Sequence, residues 1–304
     1  MARYGVDIGG TKIETAIFDD HFNLLDCWRV NTPTDDYARF LETLKEQITK
    51  ADQITGETCN VGIGMPGLIN HKGKVLSANI PCATNQDIVH DLHAILDRHI
   101  NLKNDTRCFA LSEATLGAGK EYSRVFGAII GTGAAGGLCV NGQLEETNLG
   151  IAGEYGHIPL SAQLQQKYNL PIYTCGCGLQ GCVESYIAGP GISRLYQHFT
   201  GEQQSAIHWH QQLTLNDTTA QQVLACYLDI LGETFAALVK FQEPDIIVLG
   251  GGLSLVDNII VQLPNAIQQH LFPGFTSPKV VAAQFGDSSG VRGAAILGSL
   301  PHEL

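Results

Sequence analysis

Three cysteines fall within eight residues, Cys175-Gly-Cys177-Gly-Leu-Gln-Gly-Cys182, downstream of Glu154-Tyr-Gly-His157. Thiolates and an imidazole nitrogen are zinc donors, and four of them fill a tetrahedron, leaving no position for a substrate. His157, Cys175, Cys177 and Cys182 are therefore read as a structural zinc site. There Zn2+ would clamp the loop 161–174 and fix Glu154 and Glu184 rather than act as a Lewis acid. The other six cysteines, Cys27, Cys59, Cys82, Cys108, Cys139 and Cys226, are scattered and read as core residues.

Glycine turns carry a second kind of chemistry. The segment from Tyr4 to Asp19 runs strand, Gly9-Gly10-Thr11, strand, and the segment from Phe126 to Asn141 repeats it around Gly131-Thr132-Gly133 at an offset of 122 positions. Tips without bulky side chains let backbone N–H groups approach phosphate oxygens. Asp7 precedes the first tip and offers a carboxylate for Mg2+ through water; Lys12 follows it as a point charge for phosphate. One such hairpin is only a tight turn, whereas two in register, with an acid and a lysine on one, point to nucleotide phosphates. The stretch 131–136 also fits G-x-G-x-x-G, but a dinucleotide fingerprint opens a helix and this one runs into a short strand. The phosphate-loop pattern G-x-x-x-x-G-K-[ST] is missing, since Ala114 stands at its first glycine and Glu121 follows Lys120.

Asn104-Asp105-Thr106 admits two readings. Asn, Asp and Thr are preferred helix caps, and a helical run follows at once. Asp105 can also accept the proton of a hydroxyl that attacks phosphorus, a role that needs a positioned acceptor more than a strongly shifted pKa. The two are compatible if Thr106 caps and Asp105 points into a cleft.

The elements that must position these groups alternate between strands and helices. Helical spacing marks 37–51, 87–99, a run from Thr106 to Gly117, 183–199 with an interruption at Gly189-Pro190-Gly191, 220–242 and 290–297. Strands are expected at 60–65, 100–102 and 245–249, the last entering Gly250-Gly251-Gly252. Two hairpins opening two halves suggest a duplicated α/β lobe. The 304 residues also exceed the roughly 250–300 at which single cores tend to split. With 18 basic and 30 acidic residues the net charge is −12, which argues against a broad surface for nucleic acid or anionic lipid. No uninterrupted apolar stretch reaches roughly 18 residues, so no membrane span is expected. The opening Met1–Asp7 lacks an apolar run of signal length. That leads to the expectation of a reducing, cytoplasmic setting without disulfides, and without glycosylation at Asn104 or Asn216.

The segments Asp7-Ile-Gly-Gly-Thr-Lys12, Gly62-Ile-Gly-Met-Pro-Gly67, Asn104-Asp105, Ile130-Gly-Thr-Gly133, Glu154-x-Gly-His157, Cys175 to Glu184 and Gly250-Gly-Gly252 occur in this order over essentially the whole chain. Together they resemble the ROK family of sugar kinases and repressors. The resemblance implies an α/β, actin-like (ribonuclease H-like), duplicated two-lobe sugar kinase fold with an interlobe cleft. Residues 1–118 plus 291–304 would form a small lobe, and 119–290 a large lobe carrying the zinc loop. It implies Mg2+ and ATP held by Asp7, Gly9, Gly10, Thr11, Lys12, Thr132, Gly133, Gly136, Gly250 and Gly251. A hexose would be held by Gly67, Asn79, Asn104, Asp105, Glu154, His157 and Glu184. Asp105 would be the general base for the sugar 6-hydroxyl, and His157 would offer one ring nitrogen to the sugar and the other to zinc. A homodimer is implied as well.

Family repressors place a helix-turn-helix ahead of the first glycine motif; here that motif begins at Asp7, and with the acidic charge this favours a kinase without nucleic-acid partners. Asn79-Ile-Pro81, Cys108-Phe-Ala-Leu-Ser-Glu113 and Cys182-Val-Glu-Ser-Tyr186 are most similar to members acting on N-acetyl-D-glucosamine. Transfer to its 6-hydroxyl is the expected reaction. Glucose, mannose or fructose kinases, or a non-catalytic sugar-sensing regulator, are the alternatives. Three positions depart from the family pattern. Lys103 stands where a second aspartate is frequent, and its ammonium would favour ionised Asp105. Thr106 replaces an alanine, and Ala135 interrupts the glycine run after Gly133.

Overall fold

A computed structural model describes residues 1–145 and 147–300. In chain order the elements are β1 (Arg3–Ile8), β2 (Lys12–Phe18), β3 (Leu24–Asn31), α1 (Tyr37–Thr55), β4 (Val61–Met65), β5 (Leu68–Ile69), β6 (Val75–Leu76), α2 (Ile88–Leu96), β7 (Ile100–Asn104) and α3 (Asp105–Thr115). There follow β8 (Arg124–Ile130), β9 (Ala134–Val140), β10 (Gln143–Leu144), α4 (Ala162–Tyr168), α5 (Glu184–Ile187), α6 (Gly189–Thr200), α7 (Ala206–Thr214), α8 (Thr218–Gln242), β11 (Ile246–Gly250), α9 (Asp257–Gln269), β12 (Lys279–Ala282) and α10 (Ser289–Ser299). The chain divides into two compact units, Met1–Lys120 with Gly142–Ala152 and Gln284–Leu304, and Glu121–Asn141 with Gly153–Ala283.

Residues 119–120, 142–152 and 284–290, expected with the large lobe, fall with the first unit. Arg107 on α3 donates to Thr147 Oγ1 at 3.2 Å and to the Ala152 carbonyl at 2.8 Å, and buried Glu113 collects the amides of Gln284 and Phe285. The last four residues of the expected 291–304 segment lie outside the described residues.

Each unit is built on the same sheet. In the first, the strand order is β3-β2-β1-β4-β7, antiparallel from β3 to β1 and parallel from β1 to β7. In the second, β9-β8-β11-β12 repeats the pattern, with β8 antiparallel to β9 and parallel to β11, and β11 parallel to β12. The offset seen in the sequence is a structural register. Tyr4 lies between Ile17 and Val61, as Phe126 lies between Leu138 and Ile247. Alternation at the start of β2, over Lys12–Thr15, and complete burial of β4 and β11 follow from covering one or both sheet faces.

The first core gathers Val6, Ile8, Ile13, Ile17, Val61 and Ile63 from the sheet against Phe40, Leu44 and Ile48 of α1. Those three recur every four residues, so one helical stripe is buried, at roughly 1.5–3 kcal/mol per large side chain. Asp36 caps α1 by accepting from the Arg39 amide at 3.1 Å, and Gly56 ends it at φ 70°. The second core packs Trp209, Tyr227, Phe235 and Phe126 around Ile247 and Leu249. Helix α8 has an 18-residue window of mean hydropathy 1.4, long and apolar enough to cross a membrane although charged residues interrupt its apolar run, contrary to the expectation of no such segment. Of that window 72% is buried inside the protein, the pattern of a core helix.

Helix α10 returns the chain to the first unit and packs on β1, β4 and α3. It approaches backbone to backbone: a Cβ at Gly62 would stand 1.7 Å from the Ala294 carbonyl oxygen, and one at Gly293 1.7 Å from that of Cys108. Only glycine permits those approaches.

Candidate functional site

In the first unit, β7 ends where α3 begins, and Asn104 is the hinge of that junction. Its Oδ1 accepts from the Thr106 amide at 2.9 Å and from the Thr106 hydroxyl at 2.5 Å, while its Nδ2 donates to the Gly67 carbonyl at 2.9 Å. Asn104 therefore caps α3, correcting the expectation that Thr106 would. Asp105 is the first helical residue. Its Oδ1 accepts from the Thr106 amide at 3.0 Å. Burial pushes its carboxyl above the ordinary carboxylate range, and the backbone amides of Thr106 and of Asp105 itself pull it back only in part. Lys103, expected to hold the group ionised, is not a cause of the shift; it lines a polar pocket of about 130 Å³ with His71, Asn104 and Arg107.

Asp7, near the end of β1, faces the same region. Its carboxyl sits between two glycines: added Cβ atoms would stand 3.4 Å from Oδ1 at Gly64 and 2.6 Å from Oδ2 at Gly290. Burial raises its pKa from 3.8 to about 7, the charges of Asp105 and Glu14 add to the rise, and Arg29 opposes it. Arg29 is already paired with Glu14 at 2.7 Å. Burial pushes both carboxyls toward protonation, and the charge of Asp105 adds to the rise at Asp7. The hairpin tip beyond Asp7 is fixed by Thr32, whose hydroxyl donates to the Gly9 carbonyl at 2.7 Å and whose amide donates to that of Thr11 at 3.0 Å. Thr11 and Lys12 are exposed, and Gly10 packs on Asn79, so the phosphate hairpin adjoins one expected sugar residue.

In the second unit, the remaining candidates converge on the β8–β9 hairpin. Gly131 has no neighbour that a Cβ would meet, Thr132 is exposed, and Gly251 lies against the Ile130 carbonyl, so the turns 131–133 and 250–252 adjoin. Those open, side-chain-poor turns fit phosphate. Gly136, expected to join them, is instead a packing position within β9: its amide donates to the Gly153 carbonyl at 2.9 Å, and a Cβ would meet the Gly127 carbonyl at 2.3 Å.

Glu184, at the start of α5, accepts from the Ala134 amide at 2.9 Å through Oε2, and its Oε1 lies 3.7 Å from Cys175 Sγ. It therefore ties the hairpin to the cysteine loop. His157 closes a short turn anchored by buried Tyr155, whose hydroxyl donates to the Ile129 carbonyl at 2.8 Å. Its Nδ1 lies 3.7 Å from Cys175 Sγ, and its Nε2 3.8 Å from Glu154 Oε2.

The donor atoms of His157, Cys175, Cys177 and Cys182 all lie within 4.8 Å of one another, with Cys177 and Cys182 sulfurs 3.7 Å apart. Two thiolates about 2.3 Å from one tetrahedral ion stand about 3.8 Å apart, so the set fits zinc. Short backbone bonds shape the loop around it, from the Cys175 amide to Leu179 and from Leu160 to Gly181. One imidazole edge thus faces the thiols and the other Glu154.

Several residues of this arrangement went unread in the sequence. Gly64 and Glu113 lay inside the segments Gly62–Gly67 and Cys108–Glu113 with no role attached, Gly290 only opened an expected helix, and Thr32 belonged to no motif.

Residues 3–299 match the ROK family, and the chain belongs to it. The fold is the actin-like duplicated α/β fold of its sugar kinases: the ROK hexokinase of Thermus thermophilus superposes with a TM-score of 0.86 at 30% identity, over 98% of this chain and 97% of that one. In sequence, the chain is 51% identical over 295 residues to the N-acetylgalactosamine kinase AgaK of Shewanella sp. (strain ANA-3), covering 97% of this chain and 96% of the relative. It is 39% identical over 297 residues to the N-acetyl-D-glucosamine kinase of Yersinia enterocolitica, covering 97% and 98%.

Proposed function

We propose that this protein transfers the γ-phosphoryl group of ATP to the 6-hydroxyl of an N-acetyl-D-hexosamine. The observation that carries the reading is Asp105: a buried carboxyl at a helix start, oriented by the Thr106 amide. The Asp105 carboxylate accepts the proton of the sugar hydroxyl as the hydroxyl oxygen bonds to phosphorus, and the bond from phosphorus to the ADP oxygen breaks. The glycine turns 9–11, 131–133 and 250–252 offer phosphate-facing backbone. Mg2+, when bound by Asp7 through water, supplies charge neutralisation for the phosphates. Glu154, His157 and Glu184 hold sugar hydroxyls, and the cysteine loop fixes the ring of His157.

Of the two 4-epimers, N-acetylgalactosamine is the first candidate, supported by the relative of 51% identity. N-acetylglucosamine, expected from the sequence motifs, is the second, supported by the relatives near 39%. A homodimer belongs to the same reading. The test is a coupled assay of ADP release over a panel of hexoses and N-acetylhexosamines. We expect turnover on one or both acetamido sugars to exceed that on glucose, mannose and fructose. In the same assay Asp105→Asn is expected to lower turnover by about 10²–10⁴-fold with sugar binding nearly intact. Sugar binding without ATP consumption would instead identify a regulator.

A further inference from the structure

Glu113 lies two turns beyond Asp105 on α3 with no exposed surface, and no step of the transfer uses it. A buried carboxylate is costly unless hydrogen bonds replace its water. Here four do. Oε2 accepts from the amides of Ala118 at 3.0 Å and Gln284 at 2.9 Å; Oε1 accepts from the Phe285 amide at 3.2 Å and the Ser289 hydroxyl at 2.7 Å. Ala118 lies just before the chain leaves the first unit after Lys120, and Gln284 is where it returns. Ser289 opens α10, and the next residue, Gly290, walls in the Asp7 carboxyl. One side chain thus joins the helix that carries Asp105 to the turn that packs on Asp7.

We propose that Glu113 is a positioning residue for the transfer, holding the start of α10 against Asp7 and so fixing the spacing of Asp7 and Asp105. This rests on the reading of Asp105 and Asp7 given above. The body of α10 has its own anchors at Gly62 and Gly293, so losing Glu113 frees the first turn rather than the whole helix. Gln keeps the size of the side chain but turns two N–H donors toward amides that also donate.

The experiment is steady-state kinetics of full-length Glu113→Gln, with sugar affinity measured separately by titration without nucleotide. We expect kcat per folded chain to fall by about 10–100-fold, with the sugar dissociation constant within about twofold of wild type. Gly290→Ala, which presses on Asp7 and leaves every Glu113 donor in place, is expected to give the same split, and it stands in should Glu113→Gln fail to fold. A lowered melting temperature with unchanged kcat in Glu113→Gln, or unchanged kcat in a folded Gly290→Ala, overturns the proposal. If wild type shows no turnover, it is the functional reading that fails. Crystal structures of wild type and whichever of the two variants folds then decide the positioning claim, which a displaced Asp7 carboxyl supports and an unmoved one overturns.

Discussion

Asp7 holds a proton more readily than an exposed carboxyl because its glycine-walled slot excludes water and Asp105 and Glu14 add negative charge. Its folded-state pKa of about 7 lies above the ordinary 3.8, so the folded chain binds this proton more tightly than the unfolded one. Without bound metal, the contribution to stability is therefore full below about pH 4 and is lost as pH rises toward 7, by at most on the order of 4 kcal/mol. Asp7→Asn should raise the melting temperature at pH 8 and leave it nearly unchanged at pH 4, while turnover falls. Calorimetry of metal-free wild type and variant at the two pH values checks this, and an equal effect at both would show that the carboxyl is not strained by ionisation. At this scale the sequence was legible where residue type alone limits the chemistry, as for His157 and the three cysteines that the fold gathers. It was silent where the partner comes from distant chain, as for Glu113 and Ser289, 176 positions apart.

The element that couples most of the second unit's candidates is the cysteine loop. Pro159 bridges Cys182, Thr174 bridges Gln180, and Glu184 carries the connection on to Ala134 of the β8–β9 hairpin. A zinc ion at the four donors would fix the His157 ring through Nδ1 and leave Nε2 facing Glu154. Metal analysis should find about one zinc per chain. Cys177 is exposed, so Cys177→Ser opens no cavity. It should lower zinc content and raise the KM for sugar by about tenfold or more, with a smaller change in the KM for ATP. Unchanged sugar kinetics in a zinc-free variant would separate the loop from sugar binding. Elements with strong patterns, such as α1, β4, β11 and α8, were readable within a few residues. The edge strand β3 and the short helices α4 and α7 were not, because β3 is largely exposed and each of those helices buries too little to print a period.

Across the whole molecule, the offset of 122 positions and the paired glycine hairpins made the duplicated architecture legible, since each half must begin with the same strand–turn–strand unit. The assignment of segments 142–152 and 284–290 was not legible, because it depends on hydrogen bonds to Arg107 and Glu113. Val291, Ala294, Ala295, Ile296 and Leu297 of α10 are buried. A chain ended at residue 283 should therefore keep a protease-resistant second unit and lose resistance over residues 1–120, as limited proteolysis with mass spectrometry would read. Equal resistance in both regions would show that α10 is dispensable. The same helix imposes an order of events during synthesis. The first 120 residues leave the ribosome with β1 and β4 uncovered, and at about 5–20 residues per second they must wait about 10–40 s for their last helix. The intervening unit, made later, is free to finish earlier, so nascent-chain chaperones have their longest opportunity at the amino-terminal sheet.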